Sequence, residues 1–389
     1  MLFVNSGILG HRAVARLMKP LTTAHPCFQA EYLDLSEDLT LYDRAIRRAL
    51  SLRLAPLTGR AANLDFRRWR QEVNVGWLAA RRIRAIERRS ASGPFDVLHF
   101  HPQATAYSSL RRMTRTPSIV SIDATARLAI DESSAGLARM SHRVGIAHDG
   151  AVFRRARTII STSEWAARDV AALYPDCAGK VHVMPYPIDL SRFGAAWIDD
   201  RAARAAGRGG PVRALFVGGD FPRKGGADLL NAWRESGLAD RAVLDLVTDW
   251  PLRLEDLPAG VNVIRGMSPY TPPWFELWRR ADLFVMPTRH EAFGMVYQEA
   301  AAAGIPAIAT GIHAVPEIVQ HERTGLLVHP GDRKALVEAI RALVDSSDLR
   351  QRLGRAARAR ISTIADPAMY SSKLGELVKH MVTSNGQPS

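Results

Sequence analysis

Two carboxylates, Glu291 and Glu299, stand eight positions apart in the stretch Met286 to Gly311, with the glycine turn Phe293-Gly294 between them. An apolar run, Leu283 to Met286, leads in, and a second, Ala307 to Ala309, follows. The segment reads strand, tight loop, helix, tight turn, strand, which is one parallel crossover. A helix beginning near Met295 leaves its first amide groups unpaired and points the positive end of its dipole at whatever precedes it. The backbone of Gly294, Met295 and Val296 can therefore hold an anion. Glu291, in the loop before that end, and Glu299, about one turn inside, could grip hydroxyls on either side of a diphosphate. That arrangement suits a nucleotide sugar. Taken singly, each glutamate reads more simply as a solvated helix-end residue, because Glu is mostly exposed; the spacing and the flanking residues together favour the site.

A second charged group lies upstream. The strand Arg213 to Val217 ends in Gly218-Gly219, followed by Asp220-Phe-Pro-Arg223-Lys224-Gly225-Gly226 and a helix to Trp233. Two cations in a glycine-rich loop at a helix start can neutralise a diphosphate, Arg as a fork and Lys as a point charge; a solvated basic loop is the plainer alternative. Further candidates stand where other strands end. Phe95 to His101 is a buried strand whose His99 and His101 alternate to one face, and Ser118 to Asp123 ends in an acid. Ligands of open parallel sheets gather at the carboxyl ends of strands. His101 and Asp123 are accordingly candidates for an acceptor, although Asp123 could equally cap the helical region expected from there to His142. The first strand, Leu2 to Asn5, runs into a loop with Gly7 and Gly10, which would let a ligand approach the backbone. No compact His/Cys spacing points to a metal among His99, His101 and Asp123, and no metal or cofactor is expected.

The segment from Glu291 resembles the E-x7-E motif of retaining GT-B glycosyltransferases, the group 1 or family 4 type. The matching pieces are Glu291-Ala-Phe-Gly294, Glu299-Ala300, Gly304-Ile-Pro306, Pro316-Glu317-Ile-Val and Thr324-Gly325-Leu-Leu-Val328. The likeness is strong from Arg213 onward and weak before it. It implies a nucleotide-diphosphate sugar, UDP- or GDP-linked, as donor. Glu291 would position the sugar ring, Glu299 would bind the ribose, and Arg223 with Lys224 would neutralise the departing diphosphate. Gly218, Gly219, Phe293, Gly294, Met295 and Val296 would line the donor, with Arg265 near the base. Gly7, Gly10 and His101 would lie on the acceptor side, with Asp123 as its acid. Retention would follow same-face attack, with the leaving phosphate taking the acceptor's proton. His313-Ala314 stands where many relatives carry Gly-Gly.

These groups need a frame. A chain of 389 residues suits two domains, and 47% apolar residues is a globular composition. Alternating strand and helix patterns give two α/β, doubly wound, Rossmann-like domains facing a central cleft, the GT-B arrangement. The expected domains are residues 1–192 on the acceptor side and 193–365 on the donor side. Residues 366–389 hold a helix, Met369 to Val382, crossing back to the first domain, and a disordered tail from Thr383. The stiff passage Pro185 to Asp189 precedes the boundary, and the Ala-, Arg- and Gly-rich piece Ala202 to Pro211 reads as a linker.

Two cysteines, Cys27 and Cys177, exclude a disulfide framework and fit a reducing compartment. No apolar run is long enough to span a bilayer, and the N-terminus lacks the pattern of a signal peptide. The expected place is the cytoplasm, peripheral to the inner face of a membrane. The net charge of +13 favours an anionic partner, or reflects only a preference for arginine. Residues 43–89 concentrate it, with Arg67, Arg68 and Arg70 beside Trp69 and Trp77. That pair of basic amphipathic helices would suit anionic lipid, or simply pack with arginine on the wet face. The expected acceptor is a glycan or lipid-linked glycan, and nucleic acid is not expected. Two other classes stay open: a nucleotide-sugar epimerase on the same fold, and a non-enzymatic protein binding anionic lipid or nucleic acid.

Overall fold

The structure is a computed structural model describing residues 1–7, 10–23, 25–37, 39–52, 67–90, 93–129, 138–206 and 210–385. It divides into two compact units, residues 1–187 with 367–389, and residues 188–366. The sequence placed the first division at 192/193.

In the first unit short runs form strands, fully buried in β1 (Leu2–Asn5), β3 (Leu98–His101), β4 (Ser118–Ile122) and β5 (Thr158–Ser161) and partly exposed in the edge strands β2 (Glu31–Asp34) and β6 (Val181–Val183). Among the described residues they make one parallel sheet in the order β2-β1-β3-β4-β5-β6. The chain steps from β1 outward to β2, then returns to the other side of β1 as β3. The sheet therefore reverses direction between β1 and β3, the place where doubly wound sheets bind ligands. Helices α1 (Gly10–Thr23), α2 (Leu41–Ser51), α3 (Arg67–Arg89), α4 (Leu110–Met113), α5 (Ala138–Arg155) and α6 (Glu164–Leu173) cover the faces. Ser163 caps α6 by accepting from the amide of Ala166.

Helix α3 turns Leu78, Ala79 and Ile83 into the core beside Leu98 and Phe100. Several of its arginines are already engaged. Arg81 pairs with buried Asp43 and lies over the rings of Tyr42 and Trp77, and Arg82 donates to the carbonyls of Asp34 and Glu37. Arg53, Arg60 and Phe66, and the side chains of Arg67 and Arg68, lie outside the described residues.

The second unit repeats the plan with β7 (Val212–Val217), β8 (Ala242–Val247), β9 (Val261–Ile264), β10 (Leu283–Met286), β11 (Ala307–Thr310) and β12 (Gly325–Val328). All pair in parallel in the order β12-β11-β10-β7-β8-β9, so the reversal lies between β7 and β10. The helices are α7 (Trp197–Ala206), α8 (Gly226–Ser236), α9 (Pro272–Arg280), α10 (Met295–Ala302), α11 (Val315–Ile318), α12 (Arg333–Asp345) and α13 (Ser347–Ile364). Finally α14 (Pro367–Asn385) belongs with the first unit. None of the described helices is long and apolar enough to cross a membrane.

Three local expectations are corrected. The segment expected as a linker begins as helix, since α7 runs to Ala206; residues 207–209 lie outside the described residues. Buried Arg201 holds α7 by donating to the carbonyls of Trp278, Ala281 and Ala303 at 2.7–3.0 Å. The tail expected as disordered from Thr383 is helical to Asn385. The segment after Asp123 is turn, not helix, through Ala129, and α5 begins at Ala138. Side chains take the backbone groups a helix would use: the amide of Ala126 donates to Asp149 at 2.6 Å and that of Leu128 to Thr125 Oγ1 at 3.3 Å.

Candidate active site

In the second unit the loops after β7 and β10 meet where the sheet reverses. Gly225 has φ +74°, and a Cβ there would sit 1.9 Å from the carbonyl oxygen of Pro287, so only glycine lets the two loops touch. Three hydrogen bonds join them as well. The Arg223 carbonyl accepts from the Arg289 amide at 2.9 Å and from Thr288 Oγ1 at 3.1 Å, and Arg223 Nη1 donates to the His290 carbonyl at 2.7 Å. This clamp places Lys224 Nζ against the carboxylate of Glu291, both side chains being largely buried. Gly294 caps α10 in the left-handed region at φ 91°, so the first amides of Met295 and Val296 open beside Glu291. Phe293 is buried under the turn, and the Tyr297 hydroxyl donates to the Met286 carbonyl at 2.7 Å, tying α10 to β10.

Glu299 lies about one turn into α10, buried, and accepts from the Tyr270 hydroxyl at 2.8 Å. Burial pushes its carboxyl up to about 7, and the Tyr270 bond opposes that shift. The acid is thus poised to ionise near neutrality, when a partner supplies donors. Gly218 and Gly219 follow β7 directly, the Gly218 amide donating to the Val247 carbonyl at 3.0 Å. His313 Nδ1 lies 3.1 Å from the Glu291 carbonyl, with φ 51° at the position where the sequence departs from Gly-Gly.

Not every expected donor group converges on this spot. Arg223 directs Nε at Asp220, 2.9 Å away, in a half-exposed pair. Arg265 turns onto the carbonyls of Trp250 and Leu252 at 2.9 and 3.4 Å.

In the first unit the carboxyl ends of β1, β3 and β4 assemble a polar cluster. Asn5 Nδ2 donates to the His11 carbonyl at 3.0 Å, and its Oδ1 accepts from the Gly7 amide at 2.8 Å. With its amide so fixed, Asn5 also presents Nδ2 to His101 Nδ1 at 3.3 Å. With Nδ1 accepting from Asn5, His101 carries a proton on Nε2, which faces the Tyr186 hydroxyl at 2.7 Å. Tyr186 in turn donates to Asp123 Oδ1. On the other side His11 Nε2 lies 3.8 Å from Asp123 Oδ2, while its Nδ1 is 2.7 Å from Ser6 Oγ.

Burial alone would raise the Asp123 carboxyl, but hydrogen bonding from His101 and Tyr186 and electrostatic attraction to the neighbouring imidazoles when they are protonated bring it below the ordinary value. Burial brings His11 down to about 4, so its ring is neutral at ordinary pH. His11, His101 and Asp123 each offer a ligand atom within 4.8 Å of the others, the donor set of a metal centre. The Asn5 contact nevertheless makes His101 Nε2 a donor, so the cluster is built as a hydrogen-bond chain. His99 points elsewhere, to Ser121 Oγ at 2.7 Å.

The loop carrying Asp123 is anchored by two buried acids: Asp149 accepts from Ala126, Tyr107 and Gln103, and Asp169 from Thr125 and Arg127. Gly7 packs so closely on Asp34 that a Cβ would lie 2.1 Å from its Oδ1, which is a structural need for glycine there. Gly10 begins α1, and residues 8 and 9 between them lie outside the described residues.

Sequence reasoning missed three residues of these sites, His11, Tyr186 and Tyr270, and noted His313 only as a departure from Gly-Gly. The first carried a signal, a polar side chain in the opening turn of the helix after β1. Tyr186, between two prolines, and Tyr270, far from Glu299 in sequence, carried none.

Comparison with known proteins bears on both units. Residues 203–360 match the family model for glycosyl transferases group 1, and residues 38–192 that for glycosyltransferase family 4. A D-inositol 3-phosphate glycosyltransferase of Pseudarthrobacter chlorophenolicus is 29% identical over 292 residues, 72% of this chain and 69% of the relative. Another, of Streptomyces avermitilis, is 34% identical over 52% of this chain, which spans about half (47%) of that relative's length. A glycogen synthase of Mycobacterium tuberculosis is 28% identical over 70% of this chain and 65% of its own. Among solved structures, Anabaena Alr3699/HepE in complex with UDP-glucose superposes with a TM-score of 0.66 at 16% identity, covering 97% of this chain and 99% of that one. Sucrose-phosphate synthase from Thermosynechococcus elongatus gives 0.66 at 16%, covering 98% and 99%. Identities that low speak for the fold, two Rossmann-like α/β units of the GT-B class. With the matched models spread across both units, the chain belongs to the group 1, family 4 glycosyltransferases, enzymes that transfer a hexosyl unit from a nucleotide-sugar donor.

Proposed function

We propose that this enzyme binds a nucleotide-diphosphate sugar on the second unit and transfers the sugar with retention to a glycan or lipid-linked glycan precursor. One observation carries the reading: Lys224 and Glu291 are paired beside the open end of α10, where the sheet reverses. That spot offers a cation and backbone amides to a diphosphate and a carboxylate to sugar hydroxyls. Glu299 would accept from the ribose hydroxyls in place of Tyr270. Lys224, with Arg223 once released from Asp220, would stabilise the negative charge that builds on the leaving diphosphate.

The bond from the anomeric carbon to the phosphate oxygen breaks as the acceptor oxygen attacks from the same face. The acceptor proton passes to the departing phosphate oxygen, so no protein base is required. On the first unit, Asp123 held by Tyr186 would accept a hydrogen bond from an acceptor hydroxyl. UDP is the favoured nucleotide, because a structural relative binds UDP-glucose. The reading includes no metal or other cofactor. It also places the enzyme in the cytoplasm at an anionic membrane surface, a role supported by the exposure of Leu41 (83%), Tyr42 (58%) and Leu52 (57%) in and just after α2.

A thermal-shift series with UDP, GDP, ADP and their sugars tests the donor site, comparing wild type with Glu299→Ala. The expected result is a rise in melting temperature selective for one nucleotide and lost in the variant. No shift with any nucleotide would overturn the proposal. Turnover of the sugar nucleotide to an epimer without acceptor would replace transfer with epimerisation.

A further inference from the structure

The strands of the first sheet are parallel, so Asp123 and His101 mark one end of it and the first residues of β4, β5 and β6 mark the other. At that other end lies a cavity of about 790 Å³. Its walls come from four separate segments: the turn after α4, the end of α5 with its link to β5, the approach to β6, and α14. Five cations line it, Arg115, Arg154, Arg155, Arg157 and Lys180, against one carboxylate, Glu376.

Three of these cations have local duties, and for Arg155 it is a bond from Nη1 to the Ala151 carbonyl at 3.2 Å. Lys180 Nζ donates to the carbonyls of Arg154 and Ala156 at 2.9 Å each, closing the C-terminal end of α5. Arg154 pairs with Asp176 at 2.8 Å, in an exposed contact that contributes little to stability. Among the described residues the guanidinium groups of Arg115 and Arg157 form no ion pair. Like charges gathered in a concave site raise its potential and attract anions. Arginine forks match the oxygens of a phosphoryl group better than those of a halide. The volume lies within the range of small-ligand sites, about 300–1,000 Å³. Met113, Leu377 and Met381 add an apolar wall beside the charge, which suits a ligand with a phosphate head and a carbon body.

We infer that this cavity is a second anion site, which binds a phosphate-bearing ligand independently of the donor and acceptor sites. A membrane phospholipid headgroup and a free phosphorylated metabolite share this chemistry. The test uses the full chain carrying Lys224→Ala, which disables the diphosphate site of the second unit, with and without Arg115→Glu/Arg157→Glu. Calorimetry with inorganic pyrophosphate reads the free ligand. Flotation with phosphatidylglycerol vesicles, against phosphatidylcholine vesicles, reads the headgroup.

The charge-reversed protein should lose at least tenfold in affinity for whichever probe binds. Loss confined to pyrophosphate identifies a soluble ligand, and loss confined to vesicles identifies a lipid. Both positions are exposed, so the melting temperature should hold. Arg155→Gln, a single neutral change, should show a smaller loss of the same kind and guards against misfolding. Binding equal in all variants, or no binding of either probe, would overturn the inference.

Discussion

Replacing Glu299 by glutamine should make the ligand-free protein more stable at pH 8 than the wild type while weakening its hold on nucleotide. Glu299 is buried, and its carboxyl rises from the ordinary 4.5 to about 7 in the fold. A carboxyl raised on folding binds its proton more tightly in the native state. Its contribution to stability is therefore fully present below pH 4.5 and is lost as pH rises toward 7. The shift corresponds to roughly 3 kcal/mol of destabilisation at pH 8. Glutamine keeps an oxygen for the Tyr270 hydroxyl and carries no charge to desolvate. The variant should thus gain up to about 3 kcal/mol at pH 8 and less than about 1 kcal/mol at pH 5. Because every other titrating group is shared, the pH-dependent difference isolates this one.

Urea unfolding followed by tryptophan fluorescence reports mainly on the second unit, which holds Trp197, Trp233, Trp250, Trp274 and Trp278 of the eight tryptophans. Nucleotide affinity should move the other way, falling roughly 10- to 100-fold, the worth of a hydrogen bond to a charged acceptor. A stability difference that is the same at pH 5 and pH 8 would refute the reasoning about burial. Unchanged affinity would refute the ribose role.

Four further outcomes are expected. Lys224→Ala should lower kcat/KM about 10²- to 10³-fold, the usual loss when a preformed charge leaves a transition state. Combined with Glu291→Gln it should lose less than the sum, because the two side chains form one pair; steady-state kinetics of the cycle decides. Tyr186→Phe removes the donor to Asp123, so transfer should slow about tenfold, while nucleotide binding on the second unit, measured by calorimetry, stays unchanged. Gly225→Ala adds a methyl group 1.9 Å from the Pro287 carbonyl at φ +74°, and should cost more than about 2 kcal/mol in denaturant melts.

The parallel crossover around α10 was readable because its signals are local. Apolar runs mark β10 and β11, Gly294 supplies the left-handed turn, and Met295 begins the helix as expected. The same holds for β7 and its glycine loop. What stayed hidden depends on partners distant in the chain. The end of helix α7 read as a linker because Ala202 to Pro211 is rich in Ala, Arg and Gly; the helix is held by Arg201 reaching carbonyls about 80 to 100 positions away. Asp123 looked like a helix cap, and only the fold brings Tyr186 to it across 63 positions. Glu299 could be placed on α10, but its raised acidity constant follows from burial and from Tyr270, neither of which a spacing rule contains.

The clamp between the loops after β7 and β10 has a consequence for how the proposed donor site could be remodelled. Gly225 seated on Pro287, and Arg223 bonded to Thr288, Arg289 and His290, make the two loops one mechanical piece. A residue inserted into either loop would separate all these contacts together, so neither can drift in length without the other. Arg265 and Tyr270, on the segment between β9 and α9, are outside that piece: Arg265 rests on the carbonyls of Trp250 and Leu252, and Tyr270 on Glu299, Arg192 and Phe275. Retargeting toward a different nucleotide therefore has one inexpensive route: libraries confined to residues 265–271 should yield folded proteins with altered base preference, while libraries in the clamp should yield mostly misfolded ones.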